Sequence, residues 1–205
     1  MTTAAATDTP ATSQQRKSSS VRRAELLRAA AELIVDTRSL PLSMQEVGER
    51  VGASRALVYS HFTDQSALVD AVLVEHLKLL DDSGLATAVQ SGDVIERATN
   101  SAAIYLRHVV DHGAVVHIIL RDAPHGAALA AHSTGPRNRA LRALAGAARR
   151  ELSLSSEEAI VLVELLIAIP EELGRLCRAG ELVLADAESI STRLIRAAIE
   201  GLRPH

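Results

Sequence analysis

Several hydrogen-bonding side chains near the amino end have the chemistry needed to contact duplex DNA. Arg55 can donate two hydrogen bonds to one guanine, and Leu57 can contact a thymine methyl group. Tyr59, Ser60 and His61 can donate hydrogen bonds to phosphate oxygens, which positions a protein on the duplex. The same residue types also suit the outer face of any surface helix, so their spacing alone leaves both interpretations open.

Two short helices joined by a tight turn are needed to present these side chains. Ser43 and Glu46 have the spacing of a capping box, in which each residue satisfies a backbone N–H group at the helix start. Ser54 is suited to cap the second helix, and Gly52 supplies the left-handed conformation that commonly ends the first. Both helix starts also offer backbone N–H donors to phosphate groups.

Apolar spacing indicates which faces of these two helices are buried. In the first helix Met44, Val47 and Val51 share one face, and in the second Val58 and Phe62 lie one turn apart. The polar residues of the second helix then face outward. The pattern therefore predicts a helix-turn-helix.

The stretch from Arg22 to about Leu80 resembles the DNA-binding domain of the tetracycline-repressor (TetR/AcrR) family of bacterial transcriptional regulators. Members of this family end the recognition helix in a Tyr, any residue, His, Phe pattern, which residues 59–62 match. The resemblance implies a homodimer that binds a palindromic operator and is released by a small-molecule effector. The predicted DNA-contacting residues are Ser43, Ser54, Arg55, Ala56, Leu57, Tyr59, Ser60, His61, Gln65 and Arg22.

Two positions depart from the family pattern. Many relatives place a lysine at the start of the fourth helix, where it holds a phosphate, whereas this chain has Thr63, Asp64 and Gln65. Gln65 can offer only a neutral hydrogen bond in place of a salt bridge. Ala56 stands where relatives often carry glycine or proline, which bears on how closely the backbone approaches DNA.

Composition and periodicity predict an all-α protein. Helix-forming residues dominate the 205-residue chain, 47% of it is apolar, and β-branched alternation is scarce. We expect a disordered arm at residues 1–19, a three-helix DNA-binding domain at 20–65, and a helical ligand-binding and dimerisation domain at 66–205. One short helix of the last domain is expected near residues 127–131.

Charge and cysteine content limit the possible partners and compartment. A net charge of −3 argues against a protein coated in basic surface, yet DNA binding needs only a local basic patch. A single cysteine, Cys177, favours a reducing cytoplasm. The apolar run at residues 159–170 is too short to span a bilayer, so we expect no membrane association. The basic patch comprises Arg16, Lys17, Arg22, Arg23 and Arg28.

Polar side chains in the middle of the chain suit a ligand or a metal. His108 and His112 lie one helical turn apart, but no third ligand is defined and no metal-binding signature is present. We therefore predict no metal and no cofactor. Because the chain has so few aromatic residues, we expect an aliphatic or acyl effector. The predicted ligand-contacting residues are Tyr105, His108, His112, His117 and Arg121.

The last two predicted helices are apolar over more than one stripe. The resemblance implies that two copies of the chain pair through these helices in a four-helix bundle. Pro170 lies inside the first of them, and we expect it to kink or divide that helix. The predicted interface residues are Ile160, Val163, Ile167, Ile190, Leu194, Ala197 and Ala198.

The sequence as a whole predicts a cytoplasmic, homodimeric, ligand-responsive transcriptional regulator, with repression favoured over activation. One alternative is a helical metal-binding protein or metalloenzyme that uses His108 and His112. Another is a dimeric adaptor that does not bind DNA. The chain has no glycine-rich phosphate loop, serine nucleophile elbow or paired catalytic carboxylates, so no enzyme activity is predicted.

Overall fold

The computed structural model describes residues 19–121 and 136–203. Residues 1–18 of the predicted arm and the helix predicted near 127–131 lie outside the described residues. Every regular element within the described ranges is an α-helix, which confirms the all-α prediction. The helices are α1 (Ser19–Thr37), α2 (Met44–Arg50), α3 (Arg55–His61), α4 (Gln65–Asp82), α5 (Leu85–Ala88), α6 (Val94–His112), α7 (Val115–Arg121), α8 (Pro136–Leu152), α9 (Ser156–Arg178) and α10 (Leu184–Glu200).

Side-chain caps define where several of these helices begin. Ser155 and Glu158 form a complete capping box at the start of α9, and Asp93 opens α6 with another that the sequence analysis missed. At the start of α2 only half of the predicted box is present. The Ser43 hydroxyl accepts a hydrogen bond from the Glu46 backbone N–H at 3.3 Å, but the Glu46 carboxylate does not return it.

An apolar cluster supports the helix-turn-helix from behind. Leu26 and Ile34 of α1, Val47 of α2, Val58 of α3 and Leu68 of α4 are all fully buried in this cluster. Because α2 and α3 have only seven residues each, they depend on this packing rather than on helix propensity for their stability.

Helix α7 joins the same cluster from a distant part of the chain. Val115, Val116 and Ile119 are buried in it, and α7 contacts both α1 and α4. The chain reaches this position through Gly113, whose φ is +74° and where an added Cβ would lie 2.7 Å from a γ-methyl group of Val35. Only glycine lets the corner between α6 and α7 lie this close to α1. The core behind α3 thus extends past residue 65, while the domain division itself stays a prediction.

The remaining helices pack around α6, which contacts α8, α9 and α10. Helix α9 approaches α6 closely at Gly174, where an added Cβ would lie 2.5 Å from a γ-methyl group of Val109. Helix α9 also runs without a break through the buried Pro170, so the predicted division of this helix does not occur. Among the described residues no single helix is long and apolar enough to cross a membrane; α6 and α7 meet that test only together, across a bend of 95°.

Gly48, in the middle of α2, allows the turn of the helix-turn-helix to close. An added Cβ at this position would lie 2.7 Å from the Ala53 carbonyl oxygen and 3.2 Å from a γ-methyl group of the buried Val58. A backbone oxygen and a core side chain cannot easily move away. The same glycine carbonyl accepts the Ala53 N–H at 2.8 Å, so the turn is tied to this point.

We predict that Gly48→Ala lowers the free energy of unfolding by about 1–3 kcal/mol, because the methyl group overpacks the turn. Urea denaturation followed by circular dichroism measures the loss. Gly146→Ala is the matched control, since its nearest neighbour is the flexible end of Arg150 at 3.3 Å. Alanine is the better helix former, so the control should gain up to about 1 kcal/mol. Equal stability of Gly48→Ala and the unmodified protein would contradict the steric argument.

Candidate functional site

Helix α3 has one buried face and one exposed face, as predicted. Val58 has no exposed surface and Phe62, which caps the helix, is 4% exposed, so the helix is anchored from behind. Ser54 begins α3 by accepting the Leu57 backbone N–H at 3.2 Å. Of the predicted contact residues on this helix, Arg55, Ala56, Tyr59 and Ser60 are exposed, while Leu57 and His61 are half-buried.

The two largest side chains on the exposed face contact each other. A guanidinium N–H of Arg55 donates to the Tyr59 hydroxyl at 3.3 Å, and the guanidinium carbon lies 5.4 Å from the centre of the Tyr59 ring. The pair spans one helical turn, so the two side chains are held together by i, i+4 spacing. The sequence analysis treated them as independent contacts. Their mutual contact restricts the rotamers of both before any partner binds.

Ser60 is less available than predicted. Its hydroxyl donates to the Leu57 carbonyl at 2.7 Å, so the hydrogen that was expected to reach a phosphate is already bonded. The hydroxyl oxygen remains an acceptor, which does not suit a phosphate oxygen.

Gln65 and Arg22, two of the predicted DNA contacts, are both engaged within the protein. In the amide orientation that satisfies both of its groups, Gln65 donates to the Leu42 carbonyl and accepts the Leu42 N–H, each at 2.9 Å. Arg22 donates to Glu25 at 2.9 Å and reaches the Val51 carbonyl at 3.4 Å. The two side chains thus connect α4 and α1 to the segments just before and just after α2.

Arg23 is the member of the basic patch that best supports the end of α3. It is exposed, and its guanidinium carbon lies 4.8 Å from the centre of the Phe62 ring. Arg28 in contrast lies 3.9 Å from the Glu32 carboxylate. Arg16 and Lys17 lie outside the described residues. Arg23 therefore adds positive charge beside α3, although it was not among the predicted contacts.

A cavity of about 560 Å³ lies between α4, α5, α6, α7, α8 and α9. Its volume falls in the range of small-molecule binding sites. The walls in the described part of the chain are mainly aliphatic, and Tyr105 is the one aromatic ring of the Phe, Tyr and Trp type among them. The aliphatic lining includes Leu77, Leu80, Val89, Val94, Leu120 and Leu166.

One end of the cavity is polar. The Tyr105 hydroxyl donates to Glu171 Oε1 at 2.8 Å, and His117 Nδ1 lies 2.8 Å from the same oxygen. Arg121 Nη1 lies 3.5 Å from the other ring nitrogen of His117. Three of the predicted ligand residues, Tyr105, His117 and Arg121, thus meet at one place. Glu171, which joins them, was missed because it comes from α9, far along the chain.

The other two predicted ligand residues, His108 and His112, do not line this cavity. They pack with His76 of α4, with ring centres 4.8–5.3 Å apart, and His76 Nδ1 lies 3.2 Å from His108 Nε2. His108 is 7% exposed, so it is a buried residue and not the partly exposed one expected. Within residues 19–121 and 136–203 no three His, Cys, Asp or Glu side chains are arranged to hold a metal ion.

Burial keeps two of these imidazoles neutral at ordinary pH. Desolvation and the neighbouring His112 lower the pKa of His76 from 6.5 to about 4. Desolvation, with His76 and His112 nearby, lowers the pKa of His108 to about 3. The three rings therefore act as a polar junction between α4 and α6 that stays intact only while it is largely unprotonated.

Comparison with known proteins places this helix-turn-helix in a family. Residues 26–72 match the sequence profile of the family described as bacterial regulatory proteins, tetR family. This match identifies residues 26–72 as a TetR-family DNA-binding domain. Solved structures of TetR-type regulators have the same fold over nearly the whole chain, so the likeness in fold extends well beyond the amino-terminal match.

Three relatives show how far this likeness extends. The HTH-type transcriptional activator FasR of Mycolicibacterium smegmatis is 39% identical over 56 residues, which span 27% of this chain and 26% of that protein. A TetR-like transcriptional regulator from Rhodococcus sp. RHA1 superposes with a TM-score of 0.65 at 18% identity, covering 89% of this chain and 97% of its own. The TetR-family regulator PfmR from Thermus thermophilus superposes with a TM-score of 0.64 at 17% identity, covering 87% and 99%. At such low identity the two structures support the shared fold alone.

The predicted dimer residues of this chain differ in exposure. Ile160 is 57% exposed and Leu194 49% exposed, and Ala197 and Ala198 are also exposed. Ile167 and Ile190 are half-buried. Val163 is 4% exposed and lines the cavity, as Ile167 also does, so the apolar residues of α9 occupy two faces. The exposed apolar residues of α9 also include Val161 and Leu165, and Leu165 lines the cavity as well.

Because His76 and His108 are buried, we predict that the folded protein loses stability in acid. Between pH 6.5 and about 4 the unfolded chain binds protons on His76 and His108 that the folded chain excludes, so stability is complete above pH 6.5 and falls below it. The slope should reach about 1.4 kcal/mol per pH unit for each histidine. Thermal denaturation from pH 7 to pH 4.5 measures this dependence.

The double variant His76→Gln and His108→Gln should flatten that part of the stability profile. Leu73→Ala is the control, because Leu73 is a buried residue of α4 that does not titrate. Its destabilisation should be the same at every pH. A double variant that keeps the full acid slope would show that other groups cause it.

Proposed function

We propose that this TetR-family regulator binds a palindromic operator as a homodimer through α3, represses transcription there, and is released when a small molecule occupies the cavity. The observation that carries the proposal is the exposed Arg55–Tyr59 pair on a helix anchored by Val58 and Phe62. Because the operator lies on the bacterial chromosome, we propose a cytoplasmic location. We also propose that the protein acts by binding, without catalysing a reaction.

The DNA contacts divide into two kinds. We propose that Arg55 reads a base edge and that Tyr59, His61 and Arg23 contact phosphates; the support is that Arg55, Tyr59 and Arg23 are exposed and His61 half-exposed around α3. The backbone N–H groups at the starts of α2 and α3 add further donors toward phosphate. Ser43 and Ser54 serve mainly to hold those starts, since each hydroxyl already accepts a backbone N–H.

We propose repression rather than activation only because it follows from the mechanism proposed above, in which the effector releases the protein from its operator. FasR, the relative matched in the amino-terminal region, is named an activator, but the match covers about a quarter of that protein. A reporter gene placed behind the natural upstream region distinguishes the two. Higher expression after deletion of the regulator supports repression, and lower expression supports activation.

Dimerisation is proposed from the outer face of α9 and α10. Ile160, Val161 and Leu165 of α9 and Leu194 of α10 expose between 49% and 63% of their surface. Large apolar side chains grouped on two neighbouring helices are costly to leave in water. A second copy related by two-fold symmetry would cover them and place two α3 helices on one side of the duplex.

The signal from the cavity has a direct route to the DNA-reading helices through α7. His117, Leu120 and Arg121 line the cavity, while Val115 and Ile119 of the same helix are buried in the core that supports α3. A ligand that contacts the first set therefore pushes on the second. An effector that favours one position of α7 would shift α1 and α4, and with them the spacing of the two recognition helices.

We predict that Arg55→Ala and Tyr59→Phe affect operator binding differently. Arg55→Ala should cost about 1–3 kcal/mol and reduce discrimination at one base pair. Tyr59→Phe keeps the ring and removes only the hydroxyl, so it should cost less and affect all base sequences alike. Fluorescence anisotropy on the operator and on single-base variants of it measures both effects.

Arg107→Ala is the matched control for these DNA measurements, because Arg107 is an exposed arginine of α6 that pairs with Glu188, outside the helix-turn-helix and the basic patch. It should change the affinity by less than about twofold. An Arg55→Ala protein that binds and discriminates like the unmodified one would remove α3 from the proposed contact surface.

We predict that Val161→Glu shifts the protein from dimer to monomer, because it places a charge in the proposed apolar interface without touching the cavity. Val74→Glu is the control: Val74 is similarly exposed, at 66%, but lies on α4. Sedimentation equilibrium gives the mass of each variant. A Val161→Glu protein that remains dimeric while Val74→Glu is monomeric would move the interface elsewhere.

A further inference from the structure

Glu171 is the charged group most enclosed at the cavity. Its side chain is 13% exposed, whereas the other charged residues that line the cavity in the described chain are exposed to solvent. Those others are Asp81, Arg121, Arg139 and Glu164. An aliphatic cavity with a partly desolvated carboxylate at one end selects its ligands strongly by the charge of their polar group.

One oxygen of this carboxylate is engaged and the other is open. Oε1 accepts the Tyr105 hydroxyl and lies beside His117 Nδ1, whereas Oε2 has no hydrogen bond or ion pair with any described residue. In the described chain the one fully enclosed side-chain polar atom without a partner is the Ser191 hydroxyl. Oε2 is therefore accessible, and Glu171 lines the cavity. A ligand can reach this oxygen.

His117 lies between Arg121 and Glu171. Its Nδ1 is 2.8 Å from Glu171 Oε1, and Arg121 Nη1 is 3.5 Å from its Nε2. The imidazole and the Tyr105 hydroxyl therefore both lie on the Oε1 side of the carboxylate, and neither contacts Oε2.

We propose that the cavity takes an aliphatic molecule with a protonated amine head, and that Glu171 Oε2 binds the ammonium group. This inference rests on the proposed function of the cavity as an effector site. A charge-assisted hydrogen bond is strong in such surroundings, and the aliphatic walls suit an unbranched or branched alkyl body. A carboxylate head at the same place would set two negative charges side by side. The aliphatic part of the sequence-based expectation is retained, and an amine head takes the place of the acyl alternative.

Isothermal titration calorimetry with n-decylamine, decan-1-ol and decanoate, each below its micellar concentration, tests the proposal. These molecules share one chain and differ in the charge of the head. The amine should bind the unmodified protein most tightly. Glu171→Gln should weaken amine binding by about tenfold or more and change decanol binding by less than about threefold. Glu172→Gln, the same change at an exposed neighbour bonded to Arg175, should alter neither.

Two results would overturn the proposed ligand class. One is decanoate binding the unmodified protein as tightly as decylamine, which needs no variant and so decides the matter even if Glu171→Gln does not fold. The other is folded Glu171→Gln binding decylamine with unchanged affinity. Circular dichroism of each variant establishes that it is folded.

Anisotropy of operator DNA in the same samples separates this inference from the proposed function. If decylamine binds the protein and the protein then releases the DNA, both the regulator mechanism and the amine ligand class are supported. Failure of the ligand-free protein to bind DNA overturns the regulator mechanism, while the calorimetric ranking still decides the ligand class. DNA binding together with decanoate as the tightest ligand overturns only the amine proposal.

Discussion

The burial of α7 against α1 and α4 is the contact on which the rest of the arrangement depends. Val115, Val116 and Ile119 complete an apolar core whose other members come from the helix-turn-helix and α4. The seven-residue helices α2 and α3 are too short to persist alone, so this core holds them in place. The contact in turn requires Gly113, because any side chain there would collide with Val35. The residues proposed to read DNA and those that line the cavity thereby share one continuous core.

The exposed face of α3 is organised by a contact within the helix. Arg55 and Tyr59 restrict each other's rotamers, so part of the conformational entropy that binding would cost is already lost in the free protein. Gln65 and Arg22 have a related role at the edges of the motif. By bonding to Leu42 and to Val51 they fix the loops on either side of α2, although their polar side chains first suggested direct contacts. Positioning and reading are thus done by different residues.

Local features were predictable from sequence, whereas features that join distant segments were not. The cap at Ser54 and the inward face of α3 depend on residues within one or two turns, so spacing alone predicted them. Glu171 contacts Tyr105 across 66 residues, and His76 meets His108 across 32, so no local pattern reveals either pair. Val163 shows a third case: α9 is apolar on two sides, and periodicity cannot say which side meets the cavity.

The double-sided character of α9 has a consequence for how the protein responds to its own concentration. Val163 and Leu166 line the cavity, and Ile160 and Val161 lie on the outer face that a second copy would cover. Ligand binding in the cavity and association of two chains would then both act on the same helix, α9. Thermodynamic linkage makes such an influence mutual: a compound that loosens the assembly must itself bind more tightly to dilute, separated chains. Scarce copies in the cell would respond to lower doses than abundant ones.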